Sequence, residues 1–199
     1  ELRRAGHDVL CIPISSRLSG TYANAMIAAR DIGGDRIEVV DSRATAGGLS
    51  LLIREARALL EGGMGIAGAA EALRERSKAL RTAFSVDDME ALRRSGRLGN
   101  VKMSISTILN IKPLLKITDG AIVSAGIARG QNEQMKKLIQ FVDVPDGELV
   151  VEQFLGLKTA ESVVAMLEAQ GYQVRLRRVG PVLGVHLGHG AVGISWIGR

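Results

Sequence analysis

"CIPISSRLSGTYANAMIAAR", residues 11–30, begins as an apolar strand and ends as an alanine-rich helix. Between them lie Ser15, Ser16, Ser19, Gly20 and Thr21, four hydroxyls within seven residues. A strand that hands over to a helix through small residues is the start of a βαβ unit. Working outward, "HDVLCIPIS" is mostly apolar, as expected of a parallel strand covered on both faces. "GTYANAMIAARDIG" predicts a helix closed by Gly33 and Gly34. "RIEVVDS" predicts the next strand, ending at Asp41 and Ser42. "TAGGLSLLIREARALLEGG" and "GIAGAAEALRERSKAL" carry apolar residues at helical spacing. The order βαβα predicts a parallel sheet with right-handed crossovers.

From about Arg81 the texture changes. "RTAFSVD" predicts a strand, "MEALRRSGRLGN" a short helix and a Gly-rich turn, and "VKMSISTILN" a helix. "IKPLLKITDGAIVSAGIAR" predicts a hairpin over Asp119-Gly120. Helix "NEQMKKLIQFV", strand "GELVVEQFLG", helix "TAESVVAMLEAQG" and strand "YQVRLRRVG" follow. The tail "GPVLGVHLGHGAVGISWIG" reads as Gly-rich chain ending in an apolar strand. The expectation is an α/β protein of two domains. Residues 1–80 form a parallel α/β/α domain and 81–199 a mixed-sheet α/β domain.

The 199 residues are 46% hydrophobic and 24% charged, which marks a globular chain rather than a disordered one. The apolar runs are too short for a membrane span, and no signal peptide is visible. The opening "ELRRAGHDVL" reads as a helix end, a turn at Gly6 and a strand, with no initiator Met, so an upstream segment is expected. The single Cys11 sits in an apolar run and predicts a buried structural thiol, consistent with a reducing cytoplasm. The net charge is +5, but Lys and Arg are spread along the whole chain and aromatics are 3% of residues. Neither pattern suits nucleic-acid binding.

In open α/β sheets ligands bind beyond the carboxyl ends of the strands. Ser15 to Thr21 occupy that place, and the helix after them opens on amides without intrahelical acceptors. Hydroxyls beside such amides suit a carboxylate or phosphate; a simple N-cap at Ser19 or Thr21 accounts for the same residues. Asp41, Ser42 and Thr45 in "DSRATAGG" read mainly as helix caps. Arg93, Arg94 and Arg97 surround Gly96 and Gly99 in "RRSGRLG". Such guanidinia suit a bidentate carboxylate, or solvent. His186 and His189 lie among glycines in "GPVLGVHLGHG" and fit either a ligand or a structural role. No Walker loop, no G-x-S-x-G elbow and no zinc spacing is present. An anion site without an evident catalyst favours a binding protein over an enzyme.

"ISSRLSGTYANA", "VVDSRATAGG", "FSVDDMEALRRSGRLG", "ILNIKPLLKITDGAI" and "GPVLGVHLGHGAVG", in that order, resemble the DegV family of bacterial fatty-acid-binding proteins. The resemblance covers nearly the whole chain. It implies the two-domain EDD fold, with a long-chain fatty acid in a tunnel between the domains, and a non-catalytic cytoplasmic role. The partner is a fatty acid kinase, which phosphorylates the bound carboxylate so that the acyl phosphate feeds phospholipid synthesis. No cofactor beyond the fatty acid and no nucleic acid is implied; transient contact with a membrane surface is.

By resemblance Ser19 is the carboxylate-binding serine, with Ser16, Gly20 and Thr21 beside it. His186 stands at the same end, and Arg97 is the head-group or kinase-coupling arginine. Neutral donors hold a carboxylate while leaving one oxygen able to accept a phosphoryl group, which a tight ion pair would quench. Two departures stand out. The family's "TSQPS"-like segment and first strand would precede Glu1, and His189 replaces the proline of a usual "H-x-G-P-G". Tail contacts are expected from Met103, Ile105, Ile108, Leu109, Ile111 and Leu115. Two rival readings remain at this stage. One is a serine acyl hydrolase using Ser19 and His186 with Asp41 or Asp87; the other is a sugar-phosphate or nucleotide-binding module.

Overall fold

The computed structural model describes residues 1–34, 36–87, 89–97 and 110–199. The helix expected at "VKMSISTILN" and the tail contacts Met103, Ile105, Ile108 and Leu109 lie outside the described residues, as does Gly99. The chain divides into two compact units. The first comprises Glu1–Thr45, Leu49–Ala79 and Asp119–Ala121; the second comprises Ala46–Gly48, Leu80–Thr118 and Ile122–Arg199.

In the first unit β1 (Val9–Cys11) and β2 (Ile37–Val39) pair in parallel, Leu10 opposite Glu38. The strand predicted over residues 7–15 is thus only three residues long, because Pro13 supplies no ladder donor and Ser15 turns the chain. Helix α1 (Thr21–Ile32) joins them and stops at Gly33, whose φ of 71° favours glycine. It has no buried residue, and Ile27 and Ile32 are exposed. Helices α2 (Ala46–Glu61) and α3 (Ile66–Ala79) follow. Their apolar stripes bury Leu52, Leu73, Ala69 and Ala70, and α3 packs on both strands. Arg74 Nη2 donates to Glu38 Oε2 at 2.7 Å, and Arg76 Nε to Glu55 Oε2 at 2.9 Å. Cys11 is half-buried, not buried as expected, because β1 is covered less completely than a central parallel strand.

The second unit is built on six strands in the order β5-β4-β3-β8-β6-β7. The elements are β3 (Leu80–Ser85), α4 (Glu90–Ser95), β4 (Ile111–Thr118), β5 (Ala121–Arg129) and α5 (Gly130–Gln140). They continue with β6 (Leu149–Phe154), α6 (Leu157–Glu168), β7 (Val174–Arg178), α7 (Pro181–Leu187) and β8 (Ala191–Ile197). β3 pairs antiparallel with β4 and β8, β6 antiparallel with β8, and β6 parallel with β7. The sheet is mixed because hairpin and crossover connections coexist. The β4–β5 turn has Asp119 at φ 49° and Gly120 at φ 78°, the two left-handed central residues that a tight two-residue hairpin needs.

Alternation along the strands splits the core into two faces. Ala83, Leu114, Val151, Ile194 and Trp196 meet Leu138 of α5 and Val163 and Leu167 of α6. Phe84, Leu115 and Ala191 face the other way, towards Leu92 of α4 and Leu187 of α7. Within the first face Gln134 Nε2 donates to Ser85 Oγ at 2.9 Å, and Ser85 Oγ donates to the Pro113 carbonyl at 2.6 Å. Both side chains are buried, so each polar group is matched inside the core. Helix α7 replaces part of the expected Gly-rich loop. Pro181 sits at its start and Gly188 beyond its end, the residues best suited to open and close a helix.

Candidate functional site

Beyond β1 the chain makes one helical turn before α1. The Leu18 and Ser19 amides donate to the Ser15 carbonyl at 3.0 and 3.1 Å. Gly20 is the N-cap residue of α1, with φ −68° and no side-chain cap bond. Capping passes instead to Ser19, whose Oγ accepts from the Thr21 amide at 3.3 Å. The Ser19 and Thr21 hydroxyl oxygens are 2.8 Å apart. One of these hydroxyls donates to the other, so the pair keeps one proton for an acceptor beyond it. The Tyr22 and Ala23 amides follow in the first turn, ahead of the first intrahelical bond from Asn24 N to Gly20 O at 3.0 Å. With the positive end of the helix dipole beneath it, this corner suits an anion.

The rest of the loop is held from below. Ser15 is buried. Its amide donates to Ala44 O at 2.8 Å and its Oγ to Gly120 O at 2.7 Å. Ser16 gives both its amide and its hydroxyl to the Asp41 carboxylate. That carboxylate also accepts from the Arg43 amide at 3.0 Å, and Arg43 pairs with Asp119. Ser16 therefore steadies the loop through its proton and offers only lone pairs elsewhere.

The "DSRATAGG" loop does not cap α2 through a side chain, contrary to expectation. Thr45 is the N-cap residue without a side-chain cap bond, and Ser42 bonds Ala44. The physical reason is that Asp41 is consumed by Ser16 and Arg43 before the helix begins.

Arg97 and His186 belong to the second unit. Gly96 ends α4 in the left-handed conformation, and Arg97, next along, is exposed. The Arg97 guanidinium donates to the Ser95 carbonyl. Arg93 makes two 2.9 Å bonds to Glu90, and Arg94 lies 3.5 Å from the same carboxylate. His186 is half-buried in the last turn of α7. Of the expected tail residues, Leu115 is fully buried and Ile111 half-buried.

One charged residue stands out that the sequence reading does not single out. Glu152 is the lone charge in the apolar strand "LVVEQF". Its carboxyl accepts from the Gly47 amide, and burial pushes it up to about 7, against the lowering pull of that amide and of Arg177. A single acid inside an apolar strand is the signal that could have singled it out. Asp87, the candidate acid of the hydrolase reading, accepts from Lys112 Nζ at 2.7 Å. Among the described residues no group of three His, Cys, Asp or Glu could hold a metal ion, and no helix is long and apolar enough to cross a membrane.

The family model described as "Uncharacterised protein, DegV family COG1307" matches residues 1–199. A DegV domain-containing protein of Deinococcus radiodurans is 32% identical over 197 residues, 94% of this chain and 69% of that protein. The solved structure of a DegV family protein from Thermus thermophilus, described for its fatty acid binding, matches with a TM-score of 0.87 at 27% identity. The match covers 99% of this chain and 74% of that one. The Fak B3 protein of the Streptococcus pneumoniae fatty acid kinase, solved loaded with linoleic acid, matches with a TM-score of 0.85. Its identity is 18%, over 96% of this chain and 72% of that one. That last likeness is one of fold.

Proposed function

This chain belongs to the DegV family, and from that premise we propose that it binds a long-chain fatty acid and presents the carboxylate to a fatty acid kinase. The observation that carries the reading is the Ser19–Thr21 hydroxyl pair at the head of α1, with one proton to spare. That proton and the first-turn amides hold one carboxylate oxygen. The other oxygen stays nucleophilic, attacks the γ-phosphorus of ATP and forms the acyl phosphate, with ADP leaving. Ser16 keeps the loop in shape through Asp41, while His186 and Arg97 serve the head-group end and the kinase. The fatty acid binding described for the Thermus thermophilus relative supports the ligand class. The kinase rests on the family resemblance.

Affinity comes from the tail. Burying a palmitoyl-length chain contributes on the order of 10 kcal/mol, at ~0.8 kcal/mol per CH₂ before ordering costs. The protein itself forms and breaks no bond in this reading, and it works in the cytoplasm where ATP is available. Transient contact with a membrane surface supplies or collects the fatty acid; the exposed Val182 and Val185 on α7 support it. Organic extraction and native mass spectrometry of the purified protein test the proposal. Co-purifying long-chain fatty acid is the expected result. A bound nucleotide or sugar phosphate, or steady hydrolysis of an acyl thioester, would overturn it.

A further inference from the structure

Asp87 lies two residues beyond β3, and the strand registers place it between two others. Ser85 pairs with Leu114 on β4 and with Val192 on β8. Continuing each ladder by one pleat sets Asp87 opposite Lys112 on one side and Gly190 on the other. Both contacts are made. Lys112 Nζ donates to Asp87 Oδ1 at 2.7 Å, and the lysine side chain is only 20% exposed. A lysine held that far from water needs an acceptor, and Asp87 is it. On the other side a Cβ at Gly190 would overlap the Asp87 carboxylate. The carboxylate fills the space that a side chain at 190 would take. His189 Nδ1 stands 3.8 Å from Asp87 Oδ2.

Gly190 belongs to the turn that joins α7 to β8. Gly188 and Gly190 both have φ 75°, a conformation that lets three residues reverse the chain. The Gly188 amide closes α7 on the Gly184 carbonyl at 2.8 Å. Helix α7 has only seven residues, so its placement depends on what grips it. Gly184 lies against the Phe154 ring, and the 188–190 turn lies against Asp87. His186 sits between these two grips.

We propose that Asp87, held by Lys112, is a positioning residue for His186: its carboxylate fixes the turn from which α7 is hung. This inference rests on the reading of His186 as a head-group residue. An amide at 87 keeps the shape but replaces the ion pair with Lys112 by a weaker bond from the ammonium to a neutral oxygen, so the turn loosens and the imidazole is held less firmly.

The test compares Asp87→Asn, Lys112→Gln, His186→Ala and the Asp87→Asn/His186→Ala double variant of the full chain. Palmitic acid is the probe, with kinase-coupled acyl phosphate formation, palmitic acid retention, thermal unfolding and amide NMR as readouts. Asp87→Asn and Lys112→Gln should each lower turnover on the order of tenfold while retention stays within about twofold. The amide resonances of His186, Gly188, His189 and Gly190 should move in Asp87→Asn. On the His186→Ala background, Asp87→Asn should change turnover by less than about twofold, since two residues acting through one group are not additive. Unchanged turnover in Asp87→Asn beside an impaired His186→Ala overturns the positioning role. So does a full multiplicative loss in the double variant, which a merely structural Asp87 would give. Unchanged turnover in His186→Ala overturns the head-group reading as well, and is thereby distinguished from the other two results.

Discussion

Replacing Glu152 by glutamine should remove a loss of stability of roughly 3 kcal/mol that this one carboxyl imposes between about pH 4.5 and pH 7. Glu152 sits on β6, where a Cβ at Gly47 would come within 2.9 Å of its Cδ and Oε2. Burial raises its carboxyl from 4.5 to about 7; the Gly47 amide and Arg177, its register partner on β7, pull the other way without cancelling the effect. Below the unfolded value the group is protonated in both states and costs nothing. As the pH climbs through the window, the unfolded chain releases the proton while the folded chain keeps it, so unfolding gains and stability falls. Above about 7 both states are ionised, and the loss levels off with a carboxylate held in a poorly hydrated place. At 1.36 kcal/mol per pH unit, a rise from 4.5 to about 7 amounts to roughly 3 kcal/mol. That is a large share of the ~5–15 kcal/mol that stabilises a typical domain. The assay is urea unfolding of both proteins at half-unit steps from pH 4.5 to 8. Other titrating groups cancel in the difference, which should be near zero at pH 4.5 and favour the glutamine variant by about 3 kcal/mol at pH 8. A difference that does not change with pH would refute the reasoning.

Ser19→Ala should weaken acyl phosphate formation more than fatty acid retention, since the tail carries affinity and one lost hydrogen bond costs about 1–3 kcal/mol; equal turnover by mutant and parent would sink the assignment. Arg97→Ala should leave the unfolding midpoint unchanged while lowering kinase-coupled turnover, because its side chain is exposed and its guanidinium donates to the carbonyl of Ser95, two residues away. A fall in the midpoint with turnover intact would point to a structural arginine. Gly184→Ala should destabilise by about 1–3 kcal/mol, since its new methyl group would run into the Phe154 ring; an unchanged unfolding midpoint would mean that α7 is not packed there.

The regular elements were legible where local chemistry and tertiary demand agree. Gly33 closing α1 and Asp119-Gly120 turning the β4–β5 hairpin are backbone positions that glycine serves best, and the sequence announces them. Helix α7 is not legible in the sequence although Pro181 and Gly188 mark its ends, because seven residues with a glycine inside and two valines have little helical tendency of their own. Packing of Gly184 on Phe154 supplies what propensity does not. In the loop before α1 the hydroxyls were visible, but their division of labour was not. Ser15 and Ser16 look alike in sequence, yet one is buried beneath Gly120 and the other is bonded to Asp41, 25 residues away. Asp87 was equally opaque, since two ladder registers decide what stands beside it.

The bond from Ser15 to Gly120 also bears on how the protein is made. Its acceptor lies 105 residues after its donor, and residues Asp119–Ala121 group with the first unit although β3 and β4 are translated before them. While a ribosome has delivered only the helices and strands up to Ala79, the hydroxyl of Ser15 has no Gly120 carbonyl to meet, and Arg43 has no Asp119. Water fills in for both partners, and closing so long a loop carries an entropic cost that the nascent chain cannot meet early. The serine-rich loop therefore reaches its final shape late in synthesis, after the hairpin has emerged. A stalled or clipped N-terminal fragment would carry the four hydroxyls without the carbonyl that seats Ser15 at the start of their loop.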